Sequence, residues 1–299
     1  MELQQLRYVL AVADTGNFTR ASERSNVSQP SLSQQIINLE KELGHKLFHR
    51  LGRRAVPTEA GFVFIERARR ILIEVGDAAR EMKDSHAIDR TIKVGAIPTL
   101  AANLFPPLLA LARKRFPQLL IQVQEDFRDE LIQGVLEGVL DVAIVSLPVK
   151  EPQLSIETIF TESLLLVLGK NHPLAARPKI IVDDIKSEKF IMLGSASTLT
   201  QEIQRFCGDN QFEPAIASRC AQIATVKALV AIGVGISILP QATITPEDRS
   251  SLICRALSGR SPTREIGVIR HQLRYQSRGA EQFLSLLREH TQVRPERKS

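Results

Sequence analysis

The chain has 299 residues, 43% of them hydrophobic and 24% charged, with a net charge of +6. That is the composition of an ordinary soluble globular protein with room for two or three domains, and its basic balance suits a nucleic-acid partner without requiring one. It excludes a membrane span, because no window holds about 18 consecutive apolar residues. Met1-Glu2-Leu3-Gln4-Gln5 has no basic run before an apolar core, so no signal peptide is expected. Cys207, Cys220 and Cys254 lack any C-x-x-C spacing, which argues against structural zinc and for reduced thiols in a cytoplasmic protein.

Leu3, Leu6, Leu10, Ala13 and Phe18 give a first helical pattern, and Asn17 or Thr19 is placed to cap a short second helix ending at Arg24. Ser25-Asn26-Val27 makes a turn. Ser28 then stands as an N-cap with Pro30 in the first helical turn. Leu32, Ile36, Leu39 and Leu43 form one apolar stripe on the helix that follows. Gln29, Ser31, Ser33, Gln34, Gln35 and Asn38 fill the other face, with no acid before Glu40. Short amides and hydroxyls can hydrogen-bond base edges and phosphates, and a helix N-terminus favours phosphate. Alone, this face would be an ordinary solvated surface, so the flanks matter. Helix, turn and polar-faced second helix make the helix-turn-helix pattern, whose second helix enters the major groove. Downstream, Leu47–Arg50 and Ala55–Thr58 read as a small hairpin, or wing, around Leu51-Gly52-Arg53-Arg54. Lys46, Arg50, Arg53 and Arg54 lie there without an intervening acid, as a phosphate-contacting loop requires. Residues 1–60 carry eight Lys/Arg against six Asp/Glu, so it is the placement of the charge that points to DNA.

These residues resemble the winged helix-turn-helix of LysR-type transcriptional regulators. The similarity is carried by F-x-x-A-S at Phe18–Ser22, V-S-Q-P-S-L-S-x-Q-I at Val27–Ile36 and L-E-x-E-L-G-x-x-L-F-x-R at Leu39–Arg50. Candidate DNA contacts are Ser28, Gln29, Pro30, Ser31, Ser33, Gln34 and Asn38 on the helix, with Arg50, Arg53 and Arg54 in the wing. A Gln/Ser surface without arginine predicts moderate base discrimination and a share of shape readout.

A long helix is expected over 58–88. Ile65, Ala68, Leu72, Val75, Ala79 and Met82 step three and four residues apart, as in a coiled-coil seam. Six basic residues balance six acids over 61–90, so this segment is not built for DNA. Core helix and dimerising linker both fit the pattern, and the resemblance implies the linker.

From Thr91 the pattern changes to βα alternation. Strands are expected at Thr91–Ile97, Leu120–Gln124 and Val142–Ser146, with helices at Leu104–Phe116, Pro106 and Pro107 in its first turn, and at Asp129–Glu137. After a crossover at Pro148–Pro152, a second half runs from Ser155 to about Leu257. Its strands are Leu164–Leu168, Phe190–Leu193 and Gly235–Leu239, and its helices Leu199–Phe206 and Ala224–Ile232. Arg264–Arg270 is a further strand and Gly279–His290 a closing amphipathic helix; the charged tail Val293–Ser299 is expected to be disordered.

The expected fold is an α+β multi-domain chain: winged helix-turn-helix (1–58), dimerising linker helix (59–90), and a two-subdomain α/β, periplasmic-binding-protein-like effector domain (91–299). Subdomain I takes about 91–149 and 264–292, and subdomain II about 155–260. The family resemblance implies an effector pocket at Pro98, Thr99, Leu100, Phe127, Arg128, Ser146, Ser195, Ser197, Thr198, Thr225 and Ser237. Hydroxyls and free N–H groups there suggest a small, anionic effector, although each Ser or Thr could equally be a helix cap. Implied partners are double-stranded DNA, the small-molecule effector, and further copies of the chain in a homodimer or homotetramer, with RNA polymerase added if the output is activation. No cofactor, metal or membrane is implied.

Within the family the regulatory half is most similar to the peroxide-sensing branch, called OxyR, at Ile159–Glu162, Asn171–Leu174, Ile191–Leu193 and Gly235–Pro240. That branch oxidises one thiol and traps it with a second, nine residues later. Cys207 stands where the second belongs, but Thr198 stands at the first, and a hydroxyl cannot form a sulfenic acid. Noncovalent effector binding is therefore expected, with a rewired cysteine pair such as Cys207 and Cys220 as the alternative. Two other classes fit less well. Dispersed histidines and the lack of H-E-x-x-H, Walker or G-x-S-x-G runs argue against an enzyme. A solute-binding protein would account for residues 91–290 but not for the head and linker.

Overall fold

The computed structural model describes residues 1–52, 54–85 and 91–292. Arg53 of the expected wing contacts, the expected helix end around His86 and the expected disordered tail Val293–Ser299 lie outside them. The described residues fall into two compact units, one within Met1–Ile88 and one within Asp89–Ser299. None of their helices is long and apolar enough to cross a membrane.

The first unit contains α1 (Leu3–Thr15), α2 (Phe18–Arg24), α3 (Gln29–Leu43), the hairpin β1 (Phe48–Leu51) and β2 (Arg54–Pro57), and α4 (Glu59–Ser85). Asn17 caps α2 by accepting from the amides of Thr19 and Arg20. Ser28 caps α3 by accepting from the Ser31 amide at 3.3 Å. Between these helices Asn26 takes φ 54°, a left-handed conformation that Asn tolerates better than most residues and that lets the chain reverse tightly. Leu32, Ile36 and Leu39 are completely buried against Val9, Val12 and Ala21, so the stripe spaced along α3 is its core face. On α4, Ile65 packs into this core and Ala68 is fully buried, whereas Phe62, Val63, Ile71, Val75 and Met82 are exposed.

The second unit contains β3 (Thr91–Ala96), α5 (Pro98–Arg115), β4 (Leu120–Glu125), α6 (Arg128–Leu136), β5 (Val142–Ser146), β6 (Leu154–Gly169), α7 (Val182–Ile185), β7 (Lys189–Leu193), α8 (Thr198–Asp209), β8 (Ala215–Cys220), α9 (Ile223–Ala231), β9 (Ser237–Pro240), β10 (Leu252–Arg255), β11 (Thr263–His271) and α10 (Arg278–Gln292). The main sheet runs β10-β6-β11-β5-β3-β4, with β9 also paired to β6; β7 and β8 form a separate parallel pair. β3 is parallel to both β4 and β5, so helical crossovers α5 and α6 are required between them.

Strand β6 is longer than sequence predicts. Its first part, Leu154–Ser163, pairs with β11, and Leu164–Gly169 pairs with β9 and β10. The run Leu-Ser-Ile-Glu-Thr-Ile mixes apolar and polar residues and is mostly half-buried or exposed, so only the continuous apolar stretch Leu164–Leu168, buried but for half-buried Leu165, stands out as a strand. Thus Leu154 lies in a first core with β3, β5, β11 and α10, and Leu164 in a second with β7, α8 and α9. β11 and α10 return the chain to the first core, with Phe283, Leu286 and Leu287 buried there. Helix α5 also differs from expectation: it starts at Pro98, and Pro106 and Pro107 sit inside it. Proline removes the donors that would serve the carbonyls of Ala102 and Asn103. Ala102 and Pro106 are on the exposed side, where solvent reaches the backbone, so the helix continues.

Candidate DNA-binding and effector sites

On α3 the exposed residues are Pro30, Ser31, Gln34 and Asn38 and, in its last turn, Lys41 and Glu42, with Ser28 at the cap and Gln29 half-buried. Ser28 and Ser31 share a hydroxyl hydrogen bond of 2.7 Å, and Gln34 Nε2 donates to Asn38 Oδ1 at 2.9 Å. The amides are therefore oriented along the helix rather than left to rotate. Ser33 departs from the expectation of an open polar face: it is buried, and its hydroxyl accepts from Arg50 Nη1 at 2.8 Å. The Arg50 guanidinium also stacks 4.4 Å over the Phe18 ring, which fixes a flexible side chain at the edge of the helix pair. Arg54 is exposed on β2.

Glu40 holds the wing to this helix. Its buried carboxylate accepts from the amides of Leu47 and Phe48 at 2.9 and 3.3 Å and pairs with Lys46 at 2.9 Å. From sequence it is merely the first acid after a polar face; its role depends on a contact with β1.

The expected effector residues separate into four groups. Thr99 and Ser146 (first core) and Thr198 (start of α8) are buried where the halves of the second unit meet; Ser146 Oγ lies 3.0 Å from Thr198 Oγ1. Ser197, the buried N-cap of α8, and half-buried Pro98 and Arg128 flank them; Arg128 has Asp129 3.5 Å away. Phe127, Ser195 and Thr225 are exposed. Two residues are withdrawn from the cleft. Leu100 packs in the first core, and Ser237 donates to the Ile191 carbonyl at 2.8 Å, holding β9 against β7.

Sequence reasoning missed the charged part of the cleft. Arg264 on β11 donates through Nε and Nη2 to Glu162 Oε2 at 2.9 and 2.8 Å, and through Nη1 to Thr99 at 2.8 Å. Glu162 Oε1 accepts from the Ala242 amide at 3.1 Å, which ties in the turn after β9. Glu202 on α8 joins them. Burial pushes its carboxyl above the usual range, although Arg264, the Ser146 hydroxyl, Arg128 and Arg205 oppose that shift. The cleft thus carries two acids, and its deeply buried cation is already paired, which runs against an anionic effector. A polar hollow of about 300 Å³ elsewhere, lined by Asp141, Arg270, His271 and Tyr275, includes none of the expected effector residues. Convergence of both cores makes the cleft the stronger candidate.

A raised Glu202 pKa has a defined sign. The folded state binds this proton more tightly than the unfolded chain, so stability is fully present below the ordinary carboxylate range and falls as pH rises through the shifted value. Glu202→Gln is expected to melt higher than the wild type at neutral pH, with the gap closing toward pH 4.5. A constant gap in melting scans across that window would show that the carboxylate titrates normally.

All three cysteines are free. Cys207 is fully buried on α8, and desolvation pushes its thiol from 9.0 up to about 12. Almost no thiolate exists at neutral pH, so neither alkylation nor oxidation has a nucleophile to use. The folded chain is expected to leave Cys207 unlabelled by iodoacetamide at pH 8, whereas urea-unfolded chain is labelled. Mass spectrometry decides this, and rapid native labelling would reopen a redox role.

Residues 3–62 match the family described as bacterial regulatory helix-turn-helix protein, lysR family, and residues 85–292 match the LysR substrate binding domain. The chain belongs to the LysR family: it is a DNA-binding transcriptional regulator with an effector-binding domain. It is 32% identical over 304 residues to a hydrogen peroxide-inducible genes activator of Dickeya chrysanthemi, covering 100% of this chain and 99% of the relative. It is 30% identical to the HTH-type transcriptional regulator AlsR of Bacillus subtilis, covering 81% of each. Full-length OxyR from Pseudomonas aeruginosa matches with a TM-score of 0.70 and 25% identity over 98% of this chain and 95% of that one. Full-length CbnR in complex with its target DNA matches with a TM-score of 0.63 and 25% identity over 97% and 99%.

Proposed function

We propose that α3 reads a major groove through Gln29, Ser31, Gln34 and Asn38, with Ser28 and Pro30 presenting its N-terminus to phosphate. Arg50, Arg53 and Arg54 hold the DNA backbone or minor groove, Ser33 acting through Arg50. One observation carries this reading: an exposed amide and hydroxyl face with no acid from Ser28 to Asn38, beside a basic wing fixed to the same helix by Glu40. The exposed apolar residues of α4 support pairing of two chains along 59–90, and effector-domain contacts then build a tetramer. The protein acts in the cytoplasm, and its output is transcriptional rather than catalytic. A small molecule bound between the two cores of 91–299 favours one closure and so shifts how the dimers sit on DNA. Equal DNA geometry with and without the effector would end that last step.

The test is binding to the gene's own upstream region across a salt series. Arg54→Ala is expected to weaken binding to all sequences and reduce the salt slope by about one unit. An unchanged slope would remove Arg54 from the phosphate contacts. Gln29→Ala is expected to relax preference at particular bases; uniform weakening would move Gln29 to the backbone class.

A further inference from the structure

Three elements bring charge to the place where the two cores meet: β6 with Glu162, β11 with Arg264 and α8 with Glu202. Arg264 and Glu162 neutralise each other, and the remaining Arg264 nitrogen and Glu162 oxygen are taken by Thr99 and the Ala242 amide. Glu202 is the surplus. Its carboxylate lies beside the Ser146 hydroxyl, and its Oε2 is shut off from solvent with no hydrogen bond from any described group. The other cations that face it are Arg128, already 3.5 Å from Asp129, and Arg205, which is exposed.

A buried carboxylate oxygen without a donor is costly, and a ligand that supplies an N–H relieves the cost. A ligand bringing a second negative charge instead adds like-charge repulsion where solvent screens it poorly. A helix N-terminus such as that of α8 would otherwise welcome an anion, but Glu202 one turn along the same helix opposes it.

We propose that Glu202 selects the effector, and that the effector is a small molecule presenting an ammonium group to this carboxylate. The proposal rests on the cleft being the effector site.

The experiment uses three probes of matched size on the full chain: n-butylammonium, n-butanol and n-butyrate, each titrated while the melting temperature is followed. Butylammonium is expected to raise the melting temperature of the wild type most and butyrate least. Glu202→Gln should remain folded and lose the preference, with butylammonium weakened about tenfold or more, a change of about 1.4 kcal/mol. Thr198→Val marks the cleft independently. Butyrate binding the wild type best, Glu202→Gln keeping the ammonium preference, or the wild type responding to none of the probes would each overturn the assignment. A butyrate response abolished by Thr198→Val would do so while leaving the cleft as the effector site. An ammonium response surviving both substitutions would sink both readings.

Discussion

Glu162→Ala is expected to lower the stability of the second unit by about 3–5 kcal/mol, the usual consequence of removing one partner from a buried ion pair. Arg264 and Glu162 are directly opposed across β11 and β6, with side chains 1% and 6% exposed, so neither charge can turn to water when its partner is gone. Guanidinium loses two charge-assisted hydrogen bonds at once and keeps only Thr99. Urea unfolding followed on the second unit checks this through the shift in midpoint at constant slope. The double replacement Glu162→Leu with Arg264→Leu should recover most of the loss, because it removes both desolvated charges together. A single variant within about 1 kcal/mol of the wild type would mean that water enters the cleft freely and solvates the orphaned arginine. In that event the Glu202 proposal would weaken too, since it relies on the same exclusion of solvent.

Gly61→Ala should cost about 3 kcal/mol or more and abolish specific DNA binding, at the severe end of overpacking substitutions. A Cβ there would stand 2.0 Å from the Leu47 carbonyl oxygen, closer than any rotamer change can relieve. That corner is pinned from several sides. The Thr58 amide donates to the Leu47 carbonyl at 2.9 Å, Thr58 Oγ1 donates to the Lys46 carbonyl at 2.6 Å, and the Gly61 amide donates to Thr58 Oγ1 at 2.9 Å. The added methyl must therefore push the wing away from the start of α4. Gly76→Ala on the same helix is the control: nothing lies within 4 Å of its Cβ, and it is expected to stabilise by about 0.5–1 kcal/mol through helix propensity. Thermal melting together with DNA binding distinguishes the two. Similar effects from both glycines would mean that the close approach relaxes at little cost.

The DNA-binding head was legible from sequence because its determinants are local. A cap at Ser28, an apolar step of three and four along α3 and a turn at Asn26 all act within a few residues of one another, and the core later buries the stripe they predict. The amide face of the same helix followed from that stripe, since whatever is not core on a two-sided helix is surface. Ser33 was the exception, because only the arrival of Arg50, 17 residues on, covers it.

The effector half was legible as an α/β alternation but not as a site. Thr198 could be placed at the start of a helix, and its position nine residues before Cys207, where the first thiol belongs, showed that the thiol switch lacked its first member. Yet the side chains that give the cleft its charge and hold it in place are far apart in the chain: Arg264 is 102 positions after Glu162 and 165 after Thr99. Arg264 sits between polar neighbours at the start of a strand, so no periodicity marks it as buried. Leu100 and Ser237 show the converse, since the family resemblance implied a site there while packing committed both to the interior. By itself the sequence determined the local elements and the family, because capping, periodicity and motif spacing are properties of neighbours along the chain. Only the tertiary structure decided which polar groups are buried and against what, because desolvation and pairing depend on partners that the fold alone brings together.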